Sequence, residues 1–233
     1  MIVIAIDGPA GSGKSTLAKS LAQALGFVFL DTGAMYRALA LAAQRAGIAP
    51  DNEARLAELA QQIQIRFETT EAGQRVFLNG EDVSEAIRTP EISDLASRIS
   101  VHSGVRRAIV AQQRAIAQQA HGVVAEGRDT TTVVFPEAVV KIYLDASPEE
   151  RARRRQEQLR QQGIHEPYEK VLQDIVERDA RDTSRADSPL RVAPDAVIIR
   201  NDGWTKEQTF EHALALCRER LGLGEAQGTI YPQ

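Results

Sequence analysis

The sequence predicts an α/β fold of three layers, a central parallel sheet with helices on both faces. Three observations carry this. Short apolar runs alternate with segments of helical period along most of the 233 residues, the pattern of strands joined by crossover helices. The first run, Ile2–Ile6, is unbroken, as suits a parallel strand buried on both faces. It leads directly into Gly8-Pro9-Ala10-Gly11-Ser12-Gly13-Lys14-Ser15-Thr16. This stretch fits G-x-x-x-x-G-K-[ST], whose context is a strand before and a helix after.

That motif, the P-loop, is built for phosphate capture. Its glycines wrap the chain tightly and aim backbone N–H groups inward. Lys14 reaches the β- and γ-phosphates of a bound nucleotide, and the Ser15 hydroxyl suits Mg²⁺. The following helix shows Leu17, Leu21 and Leu25 at steps of four, an apolar stripe, and Gly26 ends it.

A second strand is expected at Phe27–Leu30, ending at Asp31-Thr32-Gly33, then helices to about Ala46 and over Asn52–Gln62. The period then shortens. Ile63–Glu68, Arg75–Leu78 and Glu81–Val83 read as short strands joined by turns at Glu71-Ala72-Gly73 and Asn79-Gly80. Asn-Gly is a strong hairpin signal, so residues 63–83 read as a β-rich insertion on the α/β core. Pro90 begins another helical stretch, and Val105, Ile109 and Ile116 predict a helix over about 103–120. Val123–Ala125 and Val139–Leu144 are strands, the first ending at Glu126-Gly127-Arg128-Asp129. Ser147, Pro148 and Glu150 form a helix start with a capping box. That helix carries Arg151, Arg153, Arg154 and Arg155 to near Gly163, and a second spans Pro167–Thr183. Ala196–Ile199 is the last strand, Thr205–Leu221 the last helix, and residues 222–233 read as a flexible tail.

Composition narrows the function classes. The chain is 43% hydrophobic and 26% charged, ordinary for a globular protein. Its net charge of −4 gives no bulk attraction to nucleic acid. No apolar run is long enough to span a membrane, and no leader precedes the first strand. The lone Cys217 rules out an internal disulfide and lies on a stripe with Phe210, Leu214 and Leu221, as a buried thiol. The expectation is a cytoplasmic monomer with no nucleic-acid or membrane partner. Of 28 basic residues only five are lysine, and arginine is the better bidentate phosphate partner.

Three strand ends carry polar groups: the P-loop, Asp31-Thr32-Gly33 and Glu126-Gly127-Arg128-Asp129. Ligands of open parallel sheets bind beyond such ends, so the latter two offer a place for a second substrate, with Tyr36 and Arg37 one turn further on. Asp31 and Thr32 also read as simple helix caps. Val171, Ile175, Arg178, Asp182 and Arg185 share one helical face; its charged end either lines a polar cleft or emerges into solvent. The Arg151–Arg155 cluster circles its helix, so only some of it can face a ligand. A guanine-reading Asn-Lys pair is absent from the sequence, which argues against a GTPase switch and for a kinase with a small acceptor.

The P-loop run, together with Leu30-Asp31-Thr32-Gly33-Ala34-Met35-Tyr36-Arg37, Gly127-Arg128-Asp129, Val133-Val134-Phe135-Pro136, Lys141–Ala146 and Glu177-Arg178-Asp179-Ala180-Arg181-Asp182, resembles bacterial cytidylate kinase, of the nucleoside monophosphate kinases. The likeness extends to about residue 221. It implies one kinase domain over 1–221: a core of 1–33, 122–147 and 186–221, a monophosphate-binding part over about 34–121, and a helical lid at 148–165. It implies transfer of the γ-phosphoryl of ATP to CMP or dCMP with Mg²⁺ at Ser15, another acceptor such as UMP being the alternative and a non-enzymatic ATP-binding regulator a more distant one. It also implies contact with the monophosphate by Thr32, Arg37, Ser97, Arg106, Arg128, Asp129, Arg178, Asp182 and Arg185, and catalysis by Lys14, Arg128, Arg154, Arg155 and Arg181. The family's text after Gly-Arg-Asp is an apolar residue, Gly and Thr, whereas this chain has Thr130-Thr131-Thr132. No general base is expected, because the acceptor phosphate is largely dianionic near neutral pH.

Overall fold

A computed structural model of the chain describes residues 1–70 and 73–223. The first strand, β1 (Ile2–Asp7), shows why an unbroken apolar run belongs at the centre of a sheet. Successive side chains point to opposite faces. Val3 and Ala5 join one apolar cluster, Ile4 and Ile6 another. The P-loop then leads into α1 (Lys14–Leu25), closed by Gly26 in the left-handed conformation. β2 (Val28–Asp31) and α2 (Thr32–Arg45) follow without a loop. The expected Asp31-Thr32-Gly33 strand end is therefore a helix start. Asp31 is its N-cap and accepts from the Ala34 N–H at 2.8 Å.

After α3 (Glu53–Gln62) come β3 (Ile65–Thr70), β4 (Gly73–Leu78) and β5 (Glu81–Asp82), a separate antiparallel sheet in the order β3-β4-β5. Asn79 and Gly80 both take positive φ, 50° and 88°, as the twist of a two-residue hairpin turn demands. Of the other expected turn, residues 71 and 72 lie outside the described residues. α4 (Pro90–Ile99) and α5 (Ser103–Gln118) precede β6 (Gly122–Gly127). A π-helical turn, Thr130–Val134, follows β6; nothing in the periodicity announced it.

β7 (Val140–Asp145) leads into α6 (Pro148–Gln161), which pairs with α7 (Tyr168–Ser184) around Ala152, Leu159, Val171 and Ile175. The α6 capping box is half formed. Ser147 Oγ accepts from the Glu150 N–H at 3.3 Å, but the Glu150 carboxylate pairs with Arg153 and Arg154, and the Ser147 N–H donates to Asp202. Two guanidiniums outbid one backbone N–H for the carboxylate. A complete capping box closes the start of the last helix instead, between Thr205 and Gln208.

β8 (Val197–Arg200) and α8 (Lys206–Arg220) complete the core. Gly222 and Leu223, expected in the tail, cap α8 by donating to the carbonyls of Glu219 and Arg218; the remainder of the expected tail lies outside the described residues. The main sheet has the order β2-β6-β1-β7-β8, every pair parallel. Helices α1 and α8 cover one face and α2 to α5 pack over the other. Ile4, Ile6, Leu21, Ile142 and Leu144 have no exposure, each contributing about 1.5–3 kcal/mol on burial. Cys217 is fully buried there, and burial pushes its thiol up to about 12. Among the described residues no helix is long and apolar enough to cross a membrane.

Candidate active site

Parallel register brings the strand ends to one edge. Asp7 lies opposite Gly127 and Tyr143, and Asp31 opposite Glu126. The P-loop, the start of α2, the turn after β6 and the start of α6 therefore share one rim, where ligands of such sheets bind.

On the P-loop side the chain opens where its backbone runs too close to a neighbouring strand for a side chain. A β-carbon at Gly8 would collide with the Leu144 carbonyl, and φ there is 154°. Lys14 is buried and folds back to donate to Pro9 O at 2.8 Å. Burial, then the charge of Arg128, lowers its ammonium to about 7, against the pull of Glu126. The loop's apex is held from outside. Asn201 Nδ2 donates to Ser12 O at 3.1 Å, Arg154 donates to Asn201 O at 2.7 Å and to its side chain at 3.1 Å, and Arg151 donates to Ala10 O at 3.1 Å. Asn201 follows the last strand and carries no local signal, so sequence reading passed it over.

Ser15 Oγ donates to Glu126 Oε1 at 2.6 Å. Glu126 is buried, and burial with the nearby Asp31 raises its carboxyl above the usual range while Lys14 and Ser15 oppose the shift. Among the described residues no group of three or more His, Cys, Asp or Glu gathers as a metal cage. One hydroxyl and one carboxylate fit a hard cation that takes most of its oxygens from phosphate and water.

The second side is built from side chains. Asp31, already a cap as one of the two readings had it, also takes Arg37 at 2.9 Å. Thr32 Oγ1 donates to Glu126 O at 2.7 Å. The tight approach needs Gly127, where a β-carbon would strike that hydroxyl. Arg106 is buried, donates to Ser100 O at 2.9 Å, pairs with Asp129 and lies over the Tyr36 ring. Arg128 donates to Asp182 at 2.8 Å. Asp182 and Arg185 are both buried and 4.0 Å apart. The charged end of the α7 face thus turns inward to a polar cluster rather than emerging into solvent.

Several buried donors find no partner among the described residues: Arg178 Nε, Arg185 Nε and Nη2, Ser97 Oγ and the Tyr36 hydroxyl. Buried polar groups are normally paired. Burial, then repulsion from Arg128, with Arg37 and Arg155 adding to it against Asp182, lowers the Arg178 guanidinium to about 10. Burial and Arg106 lower that of Arg185, with Asp182 and Asp129 opposing. Unpaired donors and crowded positive charge in one place are chemically suited to an anion.

The arginines of α6 divide. Arg151 is buried and bridges Ala146 O, Ala10 O and Asp179. Arg154 turns to the P-loop. Arg155 donates to Gln158 at 2.8 Å; burial and then the charge of Arg37 lower its guanidinium. Arg181 pairs with Asp94 on α4 at 3.0 Å.

A family model described as cytidylate kinase matches residues 4–219. A cytidylate kinase of Solibacter usitatus (strain Ellin6076) is 50% identical over 225 residues, 96% of this chain and 95% of that protein. Those of Syntrophotalea carbinolica (strain DSM 2380 / NBRC 103641 / GraBd1), 48% identical over 94% of this chain and 93% of theirs, and of Klebsiella pneumoniae (strain 342), 46% identical over 95% and 97%, are similar along the same span.

Proposed function

The chain belongs to the cytidylate kinase family, and from that premise we propose that it transfers the γ-phosphoryl group of ATP to CMP or dCMP, giving ADP and CDP or dCDP. The observation that carries the reading is the crowd of half-buried arginines near the P-loop: Arg128 and Arg178 repel one another, and Lys14 feels both. A second phosphate relieves that repulsion.

Lys14 and the P-loop N–H groups hold the donor phosphates. Arg37, Arg128 and Arg178 clamp the acceptor phosphate, and Arg106, Asp129, Asp182 and Arg185 meet its nucleoside, with Thr32 and Ser97 beside them. The main barrier is bringing two anions together in line while charge spreads over the transferring group. The chain's part is to position both phosphates and supply cations that need no reorganisation. Arg154 is engaged with Asn201 and Ser12, whereas Arg155 bonds to Gln158 alone among the described residues, so of the two Arg155 is the freer to meet the transferred group, with Arg181 further along α7. Mg²⁺, held by Ser15 with Glu126 behind it, would neutralise charge on the β- and γ-phosphates. Residues 148–165 act as a lid on the domain formed by 1–221, excluding water so that ATP is not hydrolysed. The buried thiol of Cys217 suits a reducing cytoplasm, and we take the working unit to be a monomer, acting on two small anions.

The test is ADP release measured across CMP, dCMP, UMP, AMP, GMP and dTMP. CMP and dCMP are expected to lead. Equal rates across the panel, or ATP binding without transfer to any of them, would overturn the reading.

A further inference from the structure

Asp7 ends β1 and is fully buried, yet no phosphate-binding role falls to it. Its carboxylate accepts four hydrogen bonds from two consecutive residues 123 and 124 positions away. Oδ1 takes the Thr130 N–H at 2.8 Å and the Thr130 hydroxyl at 2.7 Å; Oδ2 takes the Thr131 N–H at 2.7 Å and the Thr131 hydroxyl at 2.6 Å. Both threonines are buried. Burial raises the Asp7 carboxyl above the usual range, and Asp129 adds to this, while the threonine bonds hold it down. An apolar-Gly pair at these positions would keep the two N–H groups and supply neither hydroxyl. The Thr130-Thr131 text therefore has a use that the sequence alone does not disclose.

The sequence neighbours of this contact matter more than the contact. Asp7 is bonded covalently to Gly8, the first residue of the P-loop. Thr130 follows Asp129 and Arg128 directly. We propose that Asp7, Thr130 and Thr131 form a clasp that sets Arg128 and Asp129 in register with the P-loop, which makes them positioning residues for the acceptor; this rests on the reading of those two residues as monophosphate contacts.

The clasp is unequal. Asp7 is held in the sheet on both sides, against β6 and β7. The turn it grips stands at the end of a single strand. Its later N–H groups, at Val133 and Val134, converge on Asp129 O at 2.9 and 3.1 Å. Its far end is fastened by Arg114, which donates to Val133 O at 2.7 Å and to Val134 O at 2.9 Å. At its near end the bonds of Thr130 and Thr131 run to Asp7, while the side chains of Asp129 and Arg128 reach Arg106 and Asp182. Loosening the clasp therefore frees the backbone that carries Arg128 and Asp129 from β1, leaving their side-chain pairs as the remaining hold, while the P-loop keeps its own bonds to Asn201 and Arg151.

The variants are Thr130→Val/Thr131→Val, which keeps shape and removes both hydroxyls, Thr131→Val alone, and Thr130→Ser/Thr131→Ser, which restores the hydroxyls. Steady-state kinetics with CMP and ATP varied in turn are read beside a thermal melt. The double valine variant is expected to raise KM for CMP about tenfold, since a buried carboxylate loses two partners, with KM for ATP within about twofold. Thr131→Val alone shows the same bias to a smaller degree, and carries the test if the double variant does not fold. The serine pair restores KM for CMP. Unchanged KM for CMP, an equal rise in both KM values, or failure of serine to rescue overturns the clasp. A wild-type enzyme that does not phosphorylate CMP at all would instead overturn the function it rests on.

Discussion

The P-loop and the arginine cluster, which we propose hold the donor and the acceptor phosphate, are made differently. The donor loop is nine consecutive residues, Gly8–Thr16, and works mainly through backbone N–H groups with one buried ammonium. The acceptor side we propose draws Tyr36 and Arg37 from α2, Arg106 from α5, Arg128 and Asp129 from the turn after β6, and Arg178, Asp182 and Arg185 from α7 and its end. Crowding affects the two kinds of cation differently. Burial brings Lys14 to about 7, whereas Arg178, lowered to about 10, keeps its charge at neutrality. Where several cations must stay charged side by side, arginine is the residue that can do it. That gives the arginine bias of this chain a structural use.

The largest expected effect strikes the donor loop. Lys14→Ala should lower kcat by about 10³-fold or more, as loss of a transition-state charge contact does, with the melting temperature little changed because the site gives up a buried cation. Near-normal turnover would break the assignment of Lys14. On the acceptor side, Arg185→Met keeps volume and removes the guanidinium. KM for CMP should rise about 10²-fold, the scale of one or two charge-assisted hydrogen bonds, with KM for ATP steady. A matching rise in KM for ATP would dissolve the distinction between the two halves.

The smallest effect tests the lysine against the arginines directly. Free Lys14 titrates near 7, and phosphate raises it, so ATP binding favours the protonated enzyme. As pH rises from 6 to 8 the free ammonium loses most of its charge, and ATP affinity should fall about tenfold from this group, with net proton uptake at pH 8. CMP affinity should lack a matching step, because the arginines stay charged. Calorimetry in buffers of different ionisation heat reads the proton uptake; its absence at pH 8 would show that Lys14 is charged before ATP arrives.

Legibility followed the same division. The P-loop, its strand and helix, the Asn79-Gly80 turn and the Gly26 stop were readable because each depends on residues near one another in sequence. The shared face of Arg178, Asp182 and Arg185 was readable too, since helical spacing is local, but not whether it faced protein or solvent. The half-formed box at Ser147 was misjudged because Glu150 had better partners in Arg153 and Arg154. The π-helical turn at Thr130–Val134 escaped because its first two residues are gripped by the carboxylate of Asp7, more than a hundred residues away.

The sequence by itself determined the α/β class, the donor loop and, through its motifs, the resemblance to a kinase family. Local propensity and fixed spacing are properties of the chain before it folds. Only the tertiary structure decided that Arg154 bonds to Asn201 beside the P-loop while Arg155 bonds to Gln158 on its own helix, that Asn201 and Arg151 brace the P-loop, and that two threonines grip Asp7. These depend on which strand ends share a rim, and parallel pairing across the whole chain sets that.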